Sequence, residues 1–163
     1  MTSPSSDPSS DPNNAPNSDP TGAASGASPS MPPATGASIS IDRPLEWMDT
    51  DAAGIWHYST VIRFAEHAEL ELHARLGIVE RTFGMTPRAR IEFDFVSPVR
   101  FGDVVTTTLT VASVGRTSIA YDLLLGGPEG AFARGRIVTV LTDAPGGRST
   151  PVPDDLRAVL LDE

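Results

Sequence analysis

The chain has 163 residues, with 12 arginines and no lysine against 21 acidic side chains, a formal charge of −9, and no cysteine. That length allows one ordinary domain; the acidic balance argues against non-specific contact with nucleic acid, and the missing cysteine excludes disulfides, thiolate zinc sites and a thiol nucleophile. No apolar run approaches the roughly 20 residues that cross a bilayer, and the N-terminus lacks the basic and apolar regions of a secretory signal, so a cytoplasmic protein is expected.

Residues 1–37 are a separate compositional block. They hold 8 of the 15 prolines and no aromatic, lysine or arginine residue, with Ser-Ser-Asp-Pro at 5–8 and 9–12 and Asn-Ser-Asp-Pro at 17–20. So little apolar surface does not offset the entropy of ordering a backbone, which predicts a disordered tail over 1–37 and one domain over 38–163.

Within the domain, Ile39, Ile41, Leu45 and Trp47 alternate as in a strand over 38–47, with Pro44 marking an edge or bend. A small, polar loop follows, Asp49-Thr50-Asp51-Ala52-Ala53-Gly54. From Tyr58 to Leu76, Val61, Phe64, Ala65, Ala68, Leu72 and Leu76 share one stripe at helical spacing, with Ser59 or Thr60 as cap and Gly77 as stop. Glu66, Glu69, Glu71, His73 and Arg75 lie mostly off that stripe. His67–Glu71 and Glu69–His73 are therefore expected as surface pairs.

After a loop over 78–87 the pattern has period two. A strand is expected over 88–96 with Phe93 and Phe95 in the core, and a turn at Phe101-Gly102-Asp103. Val105, Thr107, Leu109 and Val111 give the next strand. It turns at Gly115-Arg116 into 118–125, then through a hairpin loop at 126–130 into a last strand over 131–142. A short helix is expected over 154–161. One long helix on an antiparallel sheet of about five strands makes an α+β layer pair. Its open edges invite pairing with a second copy. Arg88, Arg90, Arg134 and Arg136 read as ordinary exposed charges.

The chemistry is sought in the loop before the helix. Asp51 stands where the amides of His57 and Tyr58 approach a helix N-terminus, which carries free N–H donors and about half a positive charge. A carboxylate beside such donors suits acyl transfer, and it also suits a simple cap. Asp49 reads as structural, orienting the loop.

The segment Trp47-Met48-Asp49-Thr50-Asp51-Ala52-Ala53-Gly54-Ile55-Trp56-His57-Tyr58, with Phe64-Ala65-Glu66 and Leu76-Gly77, resembles the 4-hydroxybenzoyl-CoA thioesterase family of hotdog-fold proteins. Ser97-Pro98-Val99-Arg100-Phe101-Gly102-Asp103 resembles the family's P-V-x-x-G-D turn, Gly115-Arg116-Thr117-Ser118-Ile119 its G-R-x-S hairpin, and 150–156 its C-terminal ending. The resemblance covers roughly 39–160 and implies a curved antiparallel sheet wrapped around the long helix. It also implies hydrolysis of an acyl-CoA thioester.

On this resemblance Asp51 is the catalytic carboxylate, as nucleophile or general base, and the Tyr58 backbone N–H polarises the thioester carbonyl. Gly54 and His57 border the substrate, and Arg116, Thr117 and Ser118 sit where the family contacts CoA. The acyl group would lie against a partner subunit, so a homodimer or homotetramer is implied, with no metal and no cofactor beyond the CoA of the substrate. Members often carry Asn and an aromatic residue where this chain has Thr60 and Val61, so the acyl group is not carried over. Some members place a Glu on the long helix instead, a role open to Glu66 or Glu69. Two alternatives share the fold. An enoyl-CoA hydratase or dehydratase would need D-x-N-P-x-H, whereas His57 is six residues after Asp51 and no Pro intervenes; the other is a non-catalytic binder of acyl-CoA or an acyl carrier.

Overall fold

A computed structural model describes residues 36–162. The tail expected over 1–37 therefore lies outside the described residues except at its end. There Gly36 and Ala37 already hydrogen-bond to Val111 and Leu160.

The elements run β1 (Ser38–Pro44), α1 (Thr60–Arg75), the single turn α2 (Val79–Thr82), β2 (Arg88–Phe95), β3 (Val104–Val114), β4 (Ser118–Gly127), β5 (Gly130–Val140) and α3 (Asp154–Leu161). The strands form one sheet in the order β1-β3-β4-β5-β2, with every pairing antiparallel. Order and types follow the expected pattern except that α2 winds within the loop expected over 78–87, while several bounds move for local reasons. β1 ends at Pro44, which has no N–H to continue a ladder. The next residues then wind into a 3-10 turn over Trp47–Asp49, because the Asp49 carboxylate accepts from the Glu46 amide at 3.0 Å. Trp47, expected on the strand's apolar face, instead stands 73 % exposed.

α1 begins at Thr60 rather than Tyr58, and neither expected cap is made. The Ser59 hydroxyl bonds to His57, and the Thr60 hydroxyl donates to the Asp49 carbonyl at 2.8 Å. The helix stops where expected, at Gly77, whose φ of +70° is left-handed backbone that costs glycine little.

The core forms where α1 lies on β1 and β3. Val61, Phe64, Ala65, Ala68 and Leu72 meet Leu109, Val111, Ile119, Tyr121, Leu123 and Leu125, all buried. The expectation that Phe93 and Phe95 are core holds for Phe93, which packs half-buried against the core cluster, and is corrected for Phe95. Ile91, Phe93 and Phe95 pair across from Ile137, Gly135 and Ala133, so they point to the core side of the sheet. Yet Ile91 is 42 % and Phe95 49 % exposed, because α1 roofs the opposite half of that face.

Candidate active site

The loop between β1 and α1 is held from within. Asp49 is fully buried; its carboxylate pairs with Arg63 and lies 3.7 Å from Arg43. Its carbonyl accepts from the His57 amide and from the Thr60 hydroxyl, each at 2.8 Å. Asp49 thus clamps the loop to the first turn of α1, the structural part the sequence suggested. Across the loop, Trp56 is buried edge-on to Phe95 with ring centroids 5.9 Å apart. The Trp56 amide donates to Val99 at 2.9 Å. The loop is therefore tied to the Phe95 end of β2 and to the turn before β3.

On this frame Asp51 is exposed. Its Oδ1 accepts from the Ala53 amide at 2.8 Å, and its carbonyl accepts from Gly54 at 3.0 Å. Gly54 has φ +72°, a conformation the tight turn requires and one that side chains with a Cβ resist. The His57 amide, expected as a donor beside Tyr58, is spent on Asp49. The Tyr58 amide has no hydrogen-bond partner among the described residues. Its side chain is 71 % exposed and stacks on the His57 ring at 4.2 Å. His57 Nδ1 accepts from the Ser59 amide at 3.2 Å, which places the ring proton of neutral His57 on Nε2.

Arg116, Thr117 and Ser118 are not beside this loop in the same protomer. They form the turn between β3 and β4, whereas Asp51 neighbours the start of β3. An 11-residue strand separates the two ends by about 34 Å at ~3.4 Å per residue.

At the Arg116 end the fold opens a cavity of about 640 Å³ between α1, α2 and the start of β2. Leu70, Val79, Phe83 and Pro87 make its apolar side; Glu66, Glu69, His73 and Arg88 make its polar side. Glu69 and His73, expected as a surface pair, are both buried here and do not pair with each other. Glu69 is bound by Arg88 through Nη1 at 3.2 Å, and burial raises its carboxyl above the usual range against the lowering effect of that guanidinium. His73 bridges Tyr121 Oη at 3.0 Å and Thr82 Oγ1 at 2.9 Å. Burial first, and Arg88 second, push its imidazole down to about 4. Burial likewise raises the Tyr121 phenol.

Arg88 and Arg136 are thereby corrected from free surface charges. Arg136 clasps the buried Asp122 through two bonds of 2.6 and 2.9 Å. His67–Glu71 is a surface pair, as expected, at 3.6 Å. The missed cluster had a signal in the sequence. Ala65, Glu69 and His73 are spaced by four, the same row as the apolar stripe, so two polar residues continue a buried line.

The profile of the thioesterase-like superfamily matches residues 45–160. The chain belongs to that superfamily. It is 28 % identical over 126 residues to a 1,4-dihydroxy-2-naphthoyl-CoA hydrolase of Thermosynechococcus vestitus, covering 72 % of this chain and 85 % of that one. A predicted thioesterase from Bacillus stearothermophilus superimposes with TM-score 0.70 at 26 % identity, over 77 % and 96 % of the two chains. A 1,4-dihydroxy-2-naphthoyl-CoA thioesterase from Synechocystis does so at 0.67 and 19 %, over the same shares, which speaks for the fold alone. The fold is the hotdog arrangement that the superfamily resemblance implied, α+β with one long helix against a curved antiparallel sheet. Among the described residues no helix is long and apolar enough to cross a membrane.

Proposed function

We propose that this protein hydrolyses acyl-CoA thioesters at the loop that opens α1, and that it does so as a homodimer. The observation that carries the reading is that one loop holds both an exposed Asp51 carboxylate and, at the approach to the helix N-terminus, a Tyr58 amide with no partner among the described residues. The thioester carbonyl oxygen accepts from Tyr58 N–H, and the positive end of α1 stabilises the charge that grows on that oxygen. One such donor is worth about 3–4 kcal/mol in a transition state.

Asp51 then acts in one of two ways. It attacks the carbonyl carbon to give an acyl-aspartyl anhydride, which water cleaves, or it takes a proton from the attacking water. Either way the C–S bond breaks, the thiolate of CoA leaves and is protonated, and a free acid remains. Gly54 keeps the loop tight beside the substrate. His57 Nε2–H is a further donor at the same rim.

The curated relative's named substrate supports a CoA thioester over a carrier-bound one, and an aromatic acyl group over an aliphatic one. The dimer reading rests on β2. This strand is an unpaired edge whose core-side residues Ile91 and Phe95 lack a cover, and pairing two copies there supplies one.

The test follows free-thiol release from aromatic and aliphatic acyl-CoAs by the intact protein and Asp51→Asn. Release that collapses in Asp51→Asn with the fold intact supports the reading. Full release in that variant moves the chemistry to Glu66, which lines the cavity described above. No release from any thioester leaves a binding protein. Label found in the Asp51 carboxylate after a single turnover in ¹⁸O-labelled water identifies the anhydride route with attack at the aspartyl carbonyl, since a general base gains no oxygen.

A further inference from the structure

Residues 49–57 close on themselves. Thr50 bridges Trp56, the Asp51 amide donates to the Ile55 carbonyl at 2.8 Å, and at the base the His57 amide donates to the Asp49 carbonyl, also at 2.8 Å. Asp51 opens the turn of this small hairpin, and Tyr58 is the first residue beyond its base. How the Asp51 carboxylate stands relative to the Tyr58 amide is therefore settled where Asp49 is anchored.

The anchor is a guanidinium from α1. Asp49 is fully buried, and a buried carboxylate needs charge and hydrogen bonds to compensate for its lost water. Its Oδ2 accepts from the Glu46 amide at 3.0 Å and stands 3.7 Å from Arg43 Nη2, beyond hydrogen-bond range. Arg43 is engaged elsewhere, its guanidinium lying over the Phe64 ring 4.5 Å from the centroid. Oδ1 accepts from Arg63 Nη2. The same nitrogen donates to Thr60 Oγ1 at 3.3 Å, and that hydroxyl donates to the Asp49 carbonyl at 2.8 Å. One nitrogen thus grips Asp49 at its carboxylate and, through Thr60, at the carbonyl that takes the His57 amide. Local helix energetics do not favour this arginine. It is the fourth residue of α1, where the positive end of the helix disfavours a cation. The loop carboxylate accounts for it.

Resting on the thioesterase reading above, we propose that Arg63 is a positioning residue of that site. It holds Asp49, and Asp49 holds the hairpin so that Asp51 and the Tyr58 amide face one thioester. Because Arg63 lies off the substrate, it acts on the transition state through geometry and not on ground-state affinity.

Arg63→Ala should lower kcat by about 10- to 100-fold, the scale of a displacement of about 1 Å at the reacting atoms, with KM for the acyl-CoA changed by less than about two-fold. A single nitrogen does the holding, so Arg63→Lys should recover most of that loss, which a two-pronged fork would not allow. The Arg63 side chain is 42 % exposed, so its place opens to solvent. Methylguanidinium added to Arg63→Ala should therefore restore turnover, while urea at the same concentration does not. A raised KM with unchanged kcat, or a kcat that neither lysine nor methylguanidinium restores, overturns the proposal.

Amide hydrogen exchange reads the anchor without any substrate. In Arg63→Ala the His57 amide should exchange at least about 10-fold faster, while that of Leu72, deep in α1, keeps its rate. An unchanged His57 rate overturns the assignment whatever the turnover. Equal acceleration at Leu72 shows a general loss of stability and overturns it too. If the intact protein releases thiol from no acyl-CoA, the thioesterase reading fails, and the His57 rate alone decides whether Arg63 anchors the hairpin.

Discussion

The His57 amide donates to the Asp49 carbonyl at 2.8 Å, and that single bond decides which donor the approach to α1 has left. With His57 satisfied, the next amide, Tyr58, is left without a partner among the described residues. Two aspartates two residues apart therefore divide the work: Asp49 builds the loop from inside and Asp51 faces out.

Asp51→Asn should lower kcat by at least about 100-fold, the usual scale for a group acting in the transition state. Because the side chain is exposed, with one local bond to Ala53, the thermal midpoint should stay within about 2 °C. Thiol release and calorimetry on the same preparation check both halves.

Asp49→Ala should behave in the opposite sense. It removes the partner of Arg63 and the acceptor of the Glu46 amide, so stability should fall by about 2–3 kcal/mol, less than for a wholly buried pair because both arginines are partly exposed. Turnover should fall with it as the loop loosens. Denaturant unfolding that matched the parent chain would contradict the clamp.

Tyr121→Phe leaves His73 Nε2 without its partner inside the core and should cost about 1–3 kcal/mol, despite preserving the ring. His73 also sets a pH dependence. Its imidazole titrates near 6.5 when unfolded and about 4 when folded, so between those values the unfolded chain binds more protons. The His73 contribution is complete above pH 6.5 and is lost as pH falls toward 4, on the order of 3 kcal/mol.

Glu69 works the other way. Its raised carboxyl takes up a proton in the folded state first, which favours folding on acidification. Urea midpoints between pH 7 and 4 should therefore fall less in the parent than in Glu69→Gln, which keeps the His73 loss and lacks the offset.

Ile91→Glu places a charge on the uncovered core-side face of β2. On the dimer reading it should yield a monomer by sedimentation and reduce thiol release by at least about 10-fold, with little change in the circular dichroism. A monomer of undiminished activity would show that each chain is complete alone.

Much of this was legible in the sequence, where a physical period fixed the answer. The stripe Val61, Phe64, Ala65, Ala68 and Leu72 specified α1 and its buried face, and alternation specified β3 and β4, since each face of a half-buried element must keep one polarity. What misled was context beyond that period. Phe95 has a core-side position, but what covers it is decided by where α1 lies across five strands. Glu69 and His73 are polar residues buried only because Arg88, Thr82 and Tyr121 arrive from distant sequence to satisfy them. Trp47 continued an apparent alternation that the Asp49–Glu46 exchange had already curled into a turn. For the proposed site, the D-x-D spacing singled out one loop, yet spacing along the chain could not reveal that Arg116 folds to the far end of the sheet.

A helix that roofs one half of a sheet leaves the other half to be finished by a neighbour. On the dimer reading, part of each chain's interior is supplied at the moment of association, so association adds stability to a chain that still folds alone. The melting temperature should then climb with protein concentration, and dilution alone should inactivate the protein without any inhibitor.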